Sequence, residues 1–214
     1  MKPARIVIAD DHELLRRGLA ATLGEVDGWV VAAEASNGRQ AVEQVMAHKP
    51  DIAILDLTMP ELNGLEATRQ ILAAEPRTRV LILTAHESEQ LIREVLSAGA
   101  QGYVLKSDAG RILVSAVDSL LEGRNFFTSK VARIVLEGYL RNPQGTETIP
   151  ALSAREREIV QLLAEGRSNK EVARTLEISV KTAETHRSNI MRKMQFDSLS
   201  DLVRYAVRNK IIDI

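Results

Sequence analysis

One periodic unit governs the first half of the chain: a short apolar run followed by a longer segment whose apolar residues recur at three and four. The runs are Arg5-Ile-Val-Ile-Ala9, Trp29-Val-Val-Ala-Ala33, Ile52-Ala-Ile-Leu55, Val80-Leu-Ile-Leu83 and Gly102-Tyr-Val-Leu105, at intervals of about 25 residues. The helical segments fall at 13–23, 38–48, 65–74, 89–98 and 109–121. This alternation predicts a (βα)5 unit. Strands so continuously apolar need cover on both faces, so the sheet is expected to be parallel and doubly wound, with helices on either side and right-handed crossovers. Ligands of such sheets bind beyond the carboxyl ends of the strands.

The residues at those ends therefore carry the chemistry. Asp10 and Asp11 follow the first strand, Asp56 the third, Thr84 and Ala85 the fourth, and Lys106 the fifth. Three converging carboxylates repel one another unless a positive charge neutralises them, and hard oxygen ligands favour Mg2+ over softer metals. A lysine and a hydroxyl opposite the acids suit the oxygens of a phosphoryl group, and a carboxylate can act as nucleophile to form an acyl phosphate. Asp56 is the natural nucleophile. Simpler roles exist for each residue alone: Asp11 ahead of His12-Glu13 as a helix N-cap, Asp56 as a loop cap, Thr84 as a strand-end hydroxyl, Lys106 as a solvated charge and Tyr103 as packing. His12, His48 and His86 show no metal-ligand spacing and read as surface residues.

Asp10-Asp11, Asp56-Leu-Thr-Met-Pro60 with Asn63-Gly64, Thr84-Ala85 and Gly102-Tyr-Val-Leu-Lys106 together resemble a response-regulator receiver domain over residues 4–122. The resemblance implies a flavodoxin-like sheet of order 2-1-3-4-5 and phosphorylation of Asp56 by a sensor histidine kinase. It also implies Mg2+ held by Asp11, Asp56 and the backbone carbonyl of Thr58, with Asp10 acting through water. Thr84 and Lys106 match the residues that hold the phosphoryl oxygens. The implied switch moves Thr84 toward the phosphoryl group and turns Tyr103 inward, remodelling the face made by the fourth and fifth helices and the fifth strand. His86 and Thr58, each two residues beyond a site residue, are placed to influence phosphoryl lifetime. A phosphohydrolase working through an aspartyl phosphate usually needs a second acid two residues after its nucleophile. Here that position is Thr58, which argues against turnover of an external substrate.

Charge divides the chain further. Residues 1–122 hold 12 Lys+Arg against 18 Asp+Glu, while residues 123–214 hold 16 against 11, so an overall charge of −1 conceals an acidic half and a basic one. The first suits a dication and the second a polyanion such as nucleic acid. There is no cysteine, which excludes disulfide scaffolds, zinc fingers of the cysteine type and thiol catalysis. With no apolar run of about 18 residues and only a brief one after Met1-Lys2-Pro3, neither membrane insertion nor secretion is expected, and the chain reads as cytoplasmic.

Residues 123–150 read as a linker, partly helical from about 130 to 139 and then rich in breakers from Asn142 to Pro150. From 151 to 214 four short helices are expected. Ser153-Ala-Arg-Glu156 is a capping box ahead of Ile159, Leu162 and Leu163, and Gly166 stops that helix. Ser168 or Asn169 caps a second, Ser179 a third running to about 194, and Ser198 or Ser200 a fourth. The second and third, joined by a tight turn, form a helix-turn-helix. Seven Lys+Arg against three Glu between 167 and 193 give a phosphate-binding footprint. The third helix is expected to expose Lys181, Thr182, Glu184, Thr185, Arg187, Ser188 and Arg192 and to bury Val180, Ala183, Ile190 and Met194.

Leu152-Ser-Ala-Arg-Glu-Arg-Glu158, Gly166, Asn169-Lys-Glu-Val-Ala173, Ser179-Val-Lys-Thr-Ala-Glu-Thr-His186 and Arg192-Lys-Met194 resemble the LuxR-type DNA-binding domain. A receiver followed by this domain is similar to the NarL/FixJ class of response regulators. The resemblance implies base readout by Lys181, Glu184, Thr185 and Ser188, and backbone contacts or helix support from Lys170, Thr182, His186, Arg187, Asn189 and Lys193. Members of the class often carry a basic residue at the position of Glu184. A glutamate there can accept from cytosine N4, or pair with Arg187 or Ser188 within the helix. The class implies a transcription factor, not an enzyme beyond its own phosphoryl transfer and autodephosphorylation, that dimerises when phosphorylated, binds double-stranded promoter DNA and contacts RNA polymerase. Two rivals are a phosphorylation-independent DNA-binding protein whose receiver serves only dimerisation, and a phosphorelay or phosphatase-type enzyme. The intact Asp10-Asp11 pair, Thr84 and Lys106 weigh against the first, and the basic half against the second.

Overall fold

The computed structural model describes residues 2–129, 131–133 and 152–213. They form two compact units.

In the first unit, β1 (Ala4–Ala9), β2 (Trp29–Ala35), β3 (Ile52–Asp56), β4 (Arg79–Thr84) and β5 (Gly102–Leu105) alternate with α1 (Glu13–Gly24), α2 (Gly38–His48), α3 (Gly64–Ala74), α4 (Glu89–Ser97) and α5 (Ala109–Leu121). All neighbouring strands pair in parallel. One side chain in two serves each face. Ile6, Ile8, Ile52, Ile54, Leu81, Leu83 and Val104 pack with Leu19 and Leu23 of α1 and Leu113, Val117 and Leu120 of α5. Alternate residues such as Val7, Ala53, Leu55 and Ile82, fully buried or nearly so, point the other way, where α2 and α3 pack.

A sixth strand, β6 (Phe126–Phe127), extends the sheet, whose order is β2-β1-β3-β4-β5-β6. The expected five strands are thus joined by two residues assigned from sequence to the linker. Gly123, at φ 87, turns the chain back after α5. The Phe126 amide then donates to the Gln101 carbonyl at 3.0 Å, and the Phe126 ring packs against the core. A two-residue strand is too short to show alternation, so no periodicity reveals it. Ser129 and Val131–Arg133 are helical, while the rest of the helix expected over 130–139 and the breaker-rich segment to Pro150 lie outside the described residues.

The second unit is all-helical: α6 (Ala154–Ala164), α7 (Asn169–Thr175), α8 (Val180–Lys193) and α9 (Leu199–Arg208). Its core gathers Ile159, Leu162 and Leu163 of α6, Val172 and Ala173 of α7, Ala183 and Ile190 of α8, and Leu202 and Ala206 of α9. Capping boxes open α6 (Ser153 with Glu156), α7 (Ser168 with Glu171) and α9 (Ser198 with Asp201). Ser168 and Ser198, rather than Asn169 and Ser200, are the caps. Ser179 caps α8 by accepting from the Thr182 amide. Three expectations for α8 are corrected, one being Met194, which is half-buried at the C-cap rather than buried. Val180 is 42% exposed, because it opens the helix, and Arg187 is half-buried, its guanidinium directed at Asn169 of α7. Among the described residues, no helix is long and apolar enough to cross a membrane.

Candidate functional site

Parallel pairing in register brings the strand ends to one edge. Ala9 lies opposite Leu55, Asp56 opposite Leu83 and Thr84 opposite Leu105, so Asp10, Asp56, Thr84 and Lys106 come together although up to 96 residues separate them in sequence. Asp10 and Asp56 are 1% exposed, Thr84 is fully buried, and Asp11 and Thr58 are more open. Lys106 Nζ stands 2.8 Å from Asp56 Oδ2 and 2.8 Å from Asp10 Oδ2. Burial pushes the Asp56 carboxyl up to about 6, more than the adjacent Lys106 pulls it down, with Asp10 and Asp11 adding repulsion. For Lys106, burial opposes the ammonium, but its contacts with Asp10 and Asp56 win and hold its pKa above the ordinary value.

The segment after Asp56 is held close. The Gly64 amide donates to the Leu57 carbonyl at 2.8 Å, and Asn63 caps α3 by accepting from the Glu66 amide at 2.9 Å. A Cβ at Gly64 would sit 2.0 Å from the Asp56 carbonyl oxygen. Glycine is required there by contact with the backbone of Asp56 itself.

Thr84 and Tyr103 meet at one loop residue. The His86 amide donates to Thr84 Oγ1 at 3.1 Å, and the Tyr103 hydroxyl donates to the His86 carbonyl at 2.7 Å. Tyr103 is fully buried, and burial raises its hydroxyl pKa.

Two residues of this pocket were not read as site residues. His12 Nδ1 lies 3.0 Å from Asp10 Oδ1 and 2.9 Å from Asp11 Oδ1, although His12 was expected to be an uninvolved surface residue. Arg16, one turn into α1, donates from Nη1 to the Asp10 carbonyl at 2.7 Å and from Nε to Glu34 at 3.0 Å. The clue for both lay in the Asp10-Asp11-His12 run and its four-residue spacing to Arg16 on one helix face.

The residues fit a dication. Donor atoms of Asp10, Asp11, His12 and Asp56 all lie within 4.8 Å of one another. The buried Asp56 Oδ1 has no hydrogen-bond partner, a deficit that a cation or its water would remove.

On α8, Lys181, Thr182, Glu184, Thr185, Ser188 and Asn189 are exposed, as is Lys170 on α7, while His186 is half-buried. Thr185 Oγ1 donates to the Lys181 carbonyl at 2.8 Å, Thr182 Oγ1 lies 2.8 Å from Ser179 Oγ, and Asn189 accepts from Arg192 at 2.9 Å. Arg187 Nη1 reaches Asn169 Oδ1 at 3.5 Å, tying α8 to α7. Lys193 Nζ donates to Glu156 at 2.7 Å, tying α8 to α6. Burial is the largest single influence on Glu156 and raises its pKa, but Lys193 and Ser153 together outweigh it and hold that carboxyl below its usual range. Because the Lys193 contact is half-exposed, Lys193→Met is expected to cost less than about 1 kcal/mol of stability, read by chemical unfolding.

A buried aspartate, an acidic pair, a hydroxyl and a lysine at the carboxyl edge of a doubly wound sheet define a receiver module. Residues 6–118 match the family model "Response regulator receiver domain", and residues 150–206 match "Bacterial regulatory proteins, luxR family". The oxygen regulatory protein NreC of Staphylococcus carnosus is 38% identical over 98% of this chain and 99% of its own length. A LuxR-family two-component response regulator from Aurantimonas is similar in structure, with a TM-score of 0.61 and 35% identity over 64% of this chain and 99% of that one. The response regulator RcsB in its complex with DNA gives a TM-score of 0.60 and 26% identity over 95% of this chain and 97% of that one. The chain belongs to the two-component response regulators that join a receiver to a LuxR-type helix-turn-helix, the NarL/FixJ class, and is a transcription regulator.

Proposed function

We propose that Asp56 is the phosphoacceptor of a Mg2+-dependent receiver, charged by a sensor histidine kinase, and that its phosphorylation drives dimerisation and sequence-specific promoter binding in the cytoplasm. The observation that carries this reading is the desolvated Asp56 carboxylate beside Lys106 and the Asp10-Asp11 pair. In the transfer, a bond forms between an Asp56 oxygen and phosphorus as the phosphorus–nitrogen bond of the donor histidine breaks, and the electron pair returns to the donor imidazole. Asp11, Asp56 and the Thr58 carbonyl would hold the Mg2+, with Asp10 acting through water, and the ion would supply charge neutralisation for the phosphoryl oxygens. Lys106 and Thr84 bind those oxygens. As Thr84 turns toward them, its hydrogen bond from the His86 amide is lost, and the loop that Tyr103 also holds is free to shift. Autodephosphorylation, water attacking the acyl phosphate, resets the state. The energetic demand is small, since the phosphoryl group need only bias an existing two-state equilibrium by a few kcal/mol.

In the second unit, Lys181, Glu184, Thr185 and Ser188 read base edges, while Lys170, Thr182, His186, Arg187, Asn189 and Lys193 meet phosphates or brace α8. Paired half-sites about one helical turn apart suit a homodimer, and RNA polymerase is the further contact at the promoter. The RcsB–DNA complex supports this use of the domain.

Intact mass after incubation with acetyl phosphate and Mg2+ tests the first part. One phosphoryl adduct is expected, dependent on Mg2+ and missing from Asp56→Ala; an adduct that survives in Asp56→Ala would overturn the assignment. Selection from randomised duplexes tests the second. Glu184→Ala should relax preference at one base position by about 1–3 kcal/mol, and Lys170→Ala should weaken binding to all duplexes alike and lower the salt slope by about 1.

A further inference from the structure

The phosphoryl chemistry assigns no part to His12, whose imidazole lies against the acidic pair. It occupies the N-cap of α1 in extended conformation (φ −84°, ψ 97°), yet its side chain makes no capping hydrogen bond. Its amide donates to Asp10 Oδ1 at 2.8 Å, and its imidazole turns back so that Nδ1 faces Asp10 Oδ1 and Asp11 Oδ1 at 3.0 and 2.9 Å. The donor atoms of Asp10, Asp11, His12 and Asp56 fall within 4.8 Å of one another, close to the span of opposite ligands on one dication with bonds of about 2.2 Å. Beside them, the buried Asp56 Oδ1 is without a hydrogen-bond partner. In the tautomer that carries its proton on Nε2, an imidazole offers the Nδ1 lone pair to an ion.

We propose that His12 is an imidazole ligand that makes this a mixed nitrogen–oxygen site, one that takes Mn2+ in preference to Mg2+. The inference rests on the reading of the pocket as a dication site. Mg2+ demands oxygen ligands and sheds water reluctantly, so an imidazole adds little to its binding. Imidazole suits first-row transition ions, while a carboxylate-rich set suits Mg2+, Ca2+ and Mn2+. Of Mg2+ and Mn2+, Mn2+ is the one that accepts both donor types.

The test uses the full chain loaded with one equivalent of Mn2+ and read by pulsed electron paramagnetic resonance. Nitrogen modulation from a directly bound imidazole is expected in the unaltered protein, a result that needs no variant to fold, and its disappearance is expected in His12→Ala. Competition of Mg2+ against Mn2+ should show the preference for Mn2+ falling about tenfold or more in His12→Ala, with Mg2+ affinity nearly unchanged. Mn2+ bound without nitrogen modulation, or an equal preference in both proteins, overturns the role of His12 while leaving the dication site standing. Failure of both ions to bind overturns the site and the inference together.

Discussion

Asp56→Asn is expected to abolish phosphorylation and, in chelator at pH 8, to make the receiver unit more stable than the unaltered protein. Burial raises Asp56 from 3.8 to about 6 even with Lys106 beside it, so the fold favours the protonated acid. For a group whose folded pKa is raised, the stabilising contribution is complete below the unfolded pKa and is lost as pH rises through the folded one. A shift of about two units corresponds to a loss of about 3 kcal/mol, small at pH 4 and complete above pH 7. Asparagine carries no charge to bury and escapes this loss, although it bonds Lys106 less strongly, so 3 kcal/mol is an upper bound on its advantage. Thermal unfolding in chelator should show the two proteins converging near pH 4 and separating toward pH 8. Saturating Mg2+ should narrow the gap, since it binds the carboxylate form alone. A gap that did not change with pH would remove burial of charge as its cause.

Gly64→Ala is expected to do more damage than most core truncations. The added Cβ would meet the Asp56 carbonyl oxygen at 2.0 Å and the Leu57 Cα at 3.0 Å, and both are backbone atoms with no rotamer through which to retreat. Relief requires α3 to move away from β3 or the Asp56–Leu57 backbone to move toward the pocket. The cost is expected at the upper end of overpacking, about 3 kcal/mol or more, and the displaced Asp56 should lose acetyl-phosphate labelling in protein that is still folded. Gly110→Ala is the control, because a Cβ there meets nothing within 4 Å. Equal stability and labelling in the two variants would show that the close approach has no energetic weight.

The fold of the receiver unit was legible because its signals are local and repeated. Val80-Leu-Ile-Leu83 is apolar throughout because helices cover both faces of β4, and the 38–48 segment is helical in the structure over the same residues. Ser153 with Glu156 is a start signal that needs only four residues to operate. The site was legible for a related reason: strand ends in a parallel sheet converge whatever the loops do, so Asp10, Asp56, Thr84 and Lys106 could be grouped before any contact was seen. His12 escaped because a histidine ligand is sought by its spacing to other histidines, whereas its partners include Asp56, which only the β1–β3 pairing brings near. Val180 misled because an apolar period continues to the first residue of a helix, where the packed face has not yet begun.

By itself, then, the sequence determined the number and order of the receiver helices, five of its six strands, the four helices of the second unit, and the convergence of the acids, because periodicity, capping and the handedness of parallel crossovers act over short stretches. Tertiary structure alone decided that Phe126–Phe127 extends the sheet as its edge strand, that Gly64 lies against the Asp56 carbonyl, that Tyr103 and Thr84 meet at His86, and that His12 turns toward the acidic pocket. Each of these depends on the path the backbone takes and on which atoms it brings within a few ångströms, a property of packing that residue periodicity does not encode.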